Sequence, residues 1–262
     1  MTINYNPRVV YDGLVLALDA ANVKSYPGSG NTWYDLSGNG YNGIIQGSRV
    51  SYSSAEKAFE FTGTTDVSSE GIYIQNLNYV TGSSDAISNL TIESWIKCNS
   101  GTTSHTNDQR IIFSFDRSSV FRFAISSDSI SGVEGKPSFM DASSGGSGIG
   151  DNAATSFTGD LRDDNWHQVS VTFSTSALKY YIDGALVHTT TGSFNPITNQ
   201  STTETPRYGW IGNGSESTSA GGLTSPDSLF YGFISNLKYY YKTLTDAEIQ
   251  QNFNALRGRY GI

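Results

Sequence analysis

The sequence predicts an all-β fold, a two-sheet antiparallel sandwich closed by one short C-terminal helix. Three observations point there. Strand-favouring aromatics make up 13% of the chain while charged residues are held to 15%, with Ser, Thr, Gly and Asn filling between them, a strand-and-turn composition. Short segments alternate apolar and polar residues with period two. A helical signature is found in one place, at the end, where Thr245 and Glu248 fit a capping box and Ile249, Phe253 and Leu256 recur at helical spacing before Gly258.

In chain order, "GLVLALDA" sets Leu14, Leu16 and Leu18 on one face of a strand and Val15, Ala17 and Asp19 on the other. The stretch that follows, "NVKSYPGSGNTWYDLSGNGYNG", is too rich in turn residues for a helix and reads as a self-packed rim connection anchored by Trp33. "KAFEFTG" and "GIYIQNL" are short strands. "LTIESWIKCNS" points Ile92, Ser94 and Ile96 one way and Glu93, Trp95 and Lys97 the other, and "IIFSF" and "VFRFAI" form a hairpin across "DRSS".

Residues Ser126 to Asp160 are dominated by Ser, Gly and Asp and are expected to form an elaborated loop. The block "WHQVSVTFSTSALKYYIDGALVHTT" predicts three antiparallel strands, the last two joined at Asp183-Gly184, a favoured pair for a tight hairpin. A further loop, Gly212 to Ser228, separates "YGWIG" from the strand "LFYGFISNLKYYYKTL". There Ile234 and Leu237 can both face the core only across a bulge near Ser235 and Asn236. Tyr239 and Tyr241 should share the face of Leu237, with Tyr240 pointing away.

A chain of 262 residues can bury one full core, and two parts are expected: an N-terminal arm, residues 1–11, and one domain, residues 12–262. The formal net charge of -8 would repel phosphate backbones and anionic membranes, which argues against a nucleic-acid partner. One cysteine, Cys98, makes no internal disulfide and reads as a buried apolar thiol. No signal peptide and no membrane-length apolar run is evident, so synthesis in a cytoplasm without membrane insertion is expected.

Several segments together carry a family resemblance: "AFEFTG", "LTIESWIK", "WHQVSVTFSTSALKYYIDGALV", and "YGWIGN" followed by "LFYGFISNLKYYYKTLTDAEIQQNFNAL". In order and spacing they resemble the laminin-G-like, concanavalin A-like jelly rolls over residues 12 to 256. The opening "GLVLALDAANVKSYPGSGNTWYDLSGNGYNG" and the ending "QNFNALRGRYG" are similar to members found in tailed-phage virion proteins. The resemblance implies a jelly roll that hosts lectins, receptor-binding modules, glycosidases or structural decorations, so activity has to be read from sites.

Glycoside hydrolysis needs a pair of carboxylates. The glucanases of this fold carry Glu-x-Asp-x-x-Glu on one strand, and this chain has no such run. Glu93 stands without a carboxylate two or four residues on and reads as a strand residue facing solvent or a partner. Asp163 and Asp164 read as turn formers, and His105, His167 and His188 show no metal-ligand spacing. An enzyme is not expected. Asp35, Asn39 and Asn42 offer hard oxygens beside free-turning glycines, so the opening loop is first a folded corner and second a candidate calcium (Ca2+) loop. Stacking and amide contacts to a sugar are assigned to Tyr34, Tyr41, Trp210, Asn213 and the loop around Asp227.

The expectation is a non-enzymatic phage virion protein, made in the host cytoplasm and present in multiple copies or as a homo-oligomer. It would act as capsid decoration, fibre or adhesin and attach to host surface glycans or other virion subunits. The alternatives are a purely architectural subunit, whose arm adds to a neighbour's sheet edge, and a glycan depolymerase dependent on Glu93.

Overall fold

The computed structural model describes residues 8–62, 70–79, 86–101, 109–115, 120–126, 132–141, 151–200, 206–214 and 229–262. Among them the strands are β1 (Leu14–Asp19), β2 (Thr32–Trp33), β3 (Gly43–Gln46), β4 (Val50–Ser53), β5 (Ala58–Thr62), β6 (Gly71–Tyr79), β7 (Asn89–Cys98), β8 (Arg110–Ser114), β9 (Phe121–Ile125), β10 (Pro137–Asp141), β11 (Asp151–Ala153), β12 (Trp166–Ser174), β13 (Ala177–Ile182), β14 (Ala185–Thr191), β15 (Arg207–Ile211) and β16 (Tyr231–Tyr240). The helix α1 (Asp246–Leu256) follows.

All pairings are antiparallel and build two sheets of eight strands. The first runs β14-β13-β12-β7-β16-β5-β4 with β1 also on β16; the second runs β11-β10-β9-β8-β15-β6-β3-β2. The inward faces meet in one apolar layer that includes Leu16, Leu18, Trp33, Phe59, Ile92, Val171, Ile234, Leu237 and Tyr239. This is the predicted all-β sandwich.

The register of β16 slips between Ile234 and Asn236, leaving Ser235 as the extra residue of a bulge. The slip keeps Ile234 and Leu237 both in the core at 0% exposure. It is also where β16 changes partner, from β5 below to β1 above. Beyond the bulge Asn236, Lys238 and Tyr240 share the outer face with Glu93 and Trp95 of β7.

That outer face is covered. Helix α1 starts at Thr245, whose side chain accepts from the Glu248 N–H while Glu248 accepts in return from the Thr245 N–H. Its inner side packs Ile249 with Val10, Tyr181, Tyr240 and Leu244 in a second cluster. Phe253 and Tyr260 stack on Trp95, with ring centroids 5.7 and 3.9 Å away. β7 is therefore buried on both faces.

Two expectations change. Residues Ser126 to Asp160 are not one loop: β10 and β11 extend the second sheet there, with Phe139 facing the core. Five residues of "PSFMD" suffice because β9 already supplies a partner edge. Of the "KYYYK" tyrosines, Tyr239 is in the core and Tyr240 under α1, but Tyr241 is 50% exposed. The described part of the N-terminal arm, residues 8–11, is held by its own domain, the Val10 N–H donating to Asn252 Oδ1 at 2.7 Å and the Tyr240 hydroxyl to the Val10 carbonyl at 3.1 Å.

Candidate functional site

The opening loop is a corner built from Asp35. Its Oδ1 accepts from the Ala17 and Ser37 N–H groups, both at 2.9 Å, and its Oδ2 from the Ser37 hydroxyl at 2.6 Å and the Tyr41 N–H at 3.2 Å. Asn42 Oδ1 accepts from the Asp35 N–H at 2.9 Å, and Asn39 Nδ2 donates to the Val15 carbonyl at 2.8 Å. A cation at Asp35 has to displace these donors. Among the described residues no group of three or more His, Cys, Asp or Glu side chains is placed to hold a metal ion. Trp33 sits at 0% exposure with its ring 4.7 Å from that of Phe59, so the corner is clamped to the core as expected.

The residues assigned to sugar contacts differ in exposure. Tyr34 is exposed on the rim beside β2, and Tyr41 packs partly buried against the core. Trp210 and Asn213, expected as ligand contacts, are both 0% exposed and lie in the interior. Trp210 lies beside the ring of Tyr73, centroids 5.7 Å apart, while Asn213 Nδ2 donates to the Glu70 carbonyl at 2.7 Å. β15 is an inner strand of its sheet, paired on one edge with β8 and on the other with β6. Asp227 lies outside the described residues.

A concave polar site does exist elsewhere, between the edge strands β11 and β14, where the two sheets part. The cleft has a volume of about 340 Å³ and is lined by Ser126, Ser138, Asn152, Thr155, His188 and Thr190, with Val133 and Ala153. Its wall is a hydrogen-bond chain. The Ser156 N–H points at His188 Nδ1 from 3.3 Å and the Ser156 hydroxyl lies 2.9 Å from it, which makes Nδ1 the acceptor and Nε2 the protonated nitrogen. Nε2 then faces Thr190 Oγ1 at 3.2 Å, and that hydroxyl donates to Asn152 Oδ1 at 3.1 Å. Burial, followed by the charge of Lys136, holds His188 below its usual pKa, so the imidazole is neutral at pH 7. Beneath it the buried Tyr180 hydroxyl joins the sheets, donating to the Asn152 carbonyl and accepting from the Phe139 N–H at 2.9 Å. Uncharged hydroxyl, amide and imidazole groups in one concavity are the partners that sugar hydroxyls take.

Glu93 offers no catalysis on an outside molecule from its position. It is 0% exposed under α1, where Asn252 Nδ2 donates to Oε2 at 2.5 Å and Gln168 Nε2 to Oε1 at 3.3 Å. Burial raises its pKa to about 7, against the opposing pull of Lys238, Asn252 and Tyr240. A raised carboxyl pKa marks many acids in active sites, but no substrate reaches this one. Cys98 is likewise buried; Arg110 donates to its sulfur at 3.0 Å, yet burial outweighs the cation and pushes the thiol up.

His167 is held between two carboxylates, Nδ1 2.8 Å from Asp183 and Nε2 3.3 Å from Asp163. Burial works against its charged form, but the hydrogen bonds and charges of Asp183 and Asp163 prevail and its pKa is raised. The arrangement clasps the β12 start to the β13–β14 turn.

Residues 68–250 match the family model described as the concanavalin A-like lectin/glucanases superfamily. The chain belongs to that superfamily. No curated protein sequence matches it. Among solved structures, the binding domain of Paraclostridial Mosquitocidal Protein 1 is similar at a TM-score of 0.59 and 14% identity, over 94% of this chain and 52% of that one. The binding domain of botulinum neurotoxin DC in complex with SialylT has a TM-score of 0.57 and 16% identity, over 94% and 52%. Domain 4 of an extracellular arabinanase from Geobacillus stearothermophilus, in complex with arabinotriose, has a TM-score of 0.57 and 16% identity, over 91% and 97%. The chain spans about half the length of the toxin binding domains, and at these identities the likeness is one of fold.

Sequence reasoning missed the cleft because its residues come from four separated segments of ordinary Ser, Thr and Asn. The available signal was His188, a ring followed by Thr189 and Thr190 on a strand of weak apolar alternation, "ALVHTTT".

Proposed function

We propose that this chain is a non-enzymatic glycan-attachment domain, carried in multiple copies on a tailed-phage particle. The polar cleft between β11 and β14 carries the reading, since it gathers neutral donors and acceptors in a concave site at the open edge of the sandwich. The arabinanase domain, solved with arabinotriose and matched over 97% of its length, supports carbohydrate as the ligand class. Display on a virion is supported by the opening and closing segments that resemble phage members of the family. One cleft of this kind binds weakly, and repetition over a particle supplies the avidity.

The test is a glycan array probed with the chain displayed as a tetramer, alongside Thr190→Val, which keeps the shape of the wall and removes the hydroxyl between His188 and Asn152. Binding of neutral oligosaccharides that falls about tenfold in the variant, the scale of one lost hydrogen bond, is expected. Binding untouched by Thr190→Val and by Asn152→Ala refutes the cleft, and no binding at all refutes the glycan reading. Gold-labelled antibody on purified particles tests the location, and an absence of label refutes the virion.

A further inference from the structure

Under helix α1 the outer face of β7 and β16 gathers an amine, a carboxyl and an amide in one closed layer. Lys238 of β16 pairs directly with Glu93 of β7, and Tyr240 lies two residues further along the same face. Asn252 meets them from α1, its Nδ2 donating to Glu93 Oε2 at 2.5 Å and to the Tyr240 hydroxyl at 3.1 Å. Leu256, one turn beyond Asn252, borders the same small cavity as Lys238, so this stretch of the helix runs over the lysine. Glu93, Asn252 and Tyr240 are 0% exposed and Lys238 is 6% exposed.

Lys238 Nζ is closed to water and has no hydrogen-bond partner among the described residues. Burial, against the charges of Glu93 and Asp19, lowers its pKa, and burial raises that of Glu93. Both shifts favour the uncharged pair, a nucleophilic amine opposite a carboxylic acid. Asn252 supplies the electrophile. Its Oδ1 accepts from the Val10 N–H at 2.7 Å, a donor placed where negative charge develops when the carbonyl is attacked. Its Nδ2, the leaving nitrogen, rests on Glu93. The other amide on Glu93 is that of Gln168, but Gln168 Oε1 has no donor, so that carbonyl is not polarised.

We propose that Lys238 and Asn252 join in an isopeptide bond, with Glu93 relaying the proton. The flexible stem of Lys238 carries Nζ to Asn252 Cγ, where the amine lone pair forms the new C–N bond. Glu93 takes a proton from Nζ and gives one to Nδ2, the Cγ–Nδ2 bond breaks, and ammonia leaves. The carboxyl ends in the state in which it began, and no oxidant or outside reactant is needed. The product fastens α1 to β16 covalently, beyond the packing of Ile249 and Phe253. It is a single self-modification and does not depend on the glycan cleft.

The experiment is intact-mass spectrometry of the purified, denatured full chain, followed by tryptic mapping. The wild type should be lighter than its sequence by one ammonia. The peptide that contains Lys238, uncleaved after that residue, should be joined to the peptide that contains Asn252. Lys238→Met and Glu93→Gln, with folding checked by circular dichroism, should each show the full sequence mass. Gln keeps the size of the acid and its place under α1 but holds no proton to relay. A wild type at full sequence mass, a deficit that persists in either variant, or a link mapped to Gln168 or another amide would each overturn the proposal.

Discussion

Replacing Glu93 with Gln should flatten the pH dependence of stability. The carboxyl has its folded pKa raised from 4.5 to about 7, chiefly by burial. The folded state thus holds the proton more tightly than the unfolded chain, and the resulting stability is complete below about pH 4.5 and is lost as pH rises through about 7. At about 1.4 kcal/mol per pH unit the whole interval is worth about 3 kcal/mol, most of which disappears between about pH 5 and pH 8.

Gln fits the same space and can satisfy both neighbours. Its Oε1 accepts from Asn252 Nδ2, and its amide can donate to Gln168 Oε1, which has no partner in the native structure once the Gln168 side chain turns. Urea unfolding of wild type and Glu93→Gln at half-unit steps from pH 5 to 8 is the assay. The wild type should lose most of that contribution over that range, and the difference between the two proteins should grow with pH. Parallel profiles would refute the reasoning and mean that Glu93 is ionised and fully compensated by Lys238.

Other outcomes follow from the same structure. Trp33→Ala removes the clamp on the opening corner and should cost about 3–5 kcal/mol in urea unfolding; a loss below about 1 kcal/mol would show that the corner holds itself. His167 should titrate above 6.5 by nuclear magnetic resonance. Its stabilising contribution is complete below about pH 6.5 and lost as pH rises through the raised folded value, so His167→Gln should destabilise at pH 6 and much less at pH 9. Gly184 holds φ at +77°, and a Cβ there would lie 2.9 Å from Phe253 Cβ, so Gly184→Ala should lower stability by about 1–3 kcal/mol in thermal unfolding. An unchanged midpoint would place α1 further from that turn.

Much of the fold was legible from local pattern, because period-two alternation, turn chemistry and capping are set within a few residues. The bulge at Ser235, the Asp183-Gly184 turn with φ of +51° and +77°, and the Thr245 capping box are each local constraints with one cheap solution. The jelly-roll order of the strands followed from segments in family-like sequence.

What escaped the sequence depends on what covers each face. Alternation placed Glu93 and Trp95 away from the core, but could not show that α1 lies over them, which turns a presumed surface carboxylate into a buried acid. The same blindness made Trp210 and Asn213 look available when both are fully buried. The cleft between β11 and β14 is a space between elements distant in the chain. The sequence alone determined which segments become strands and where the chain turns, since those choices are made by neighbours along the backbone. The tertiary structure alone decided which outward faces are closed and where space is left, since burial belongs to pairs of surfaces and not to either segment.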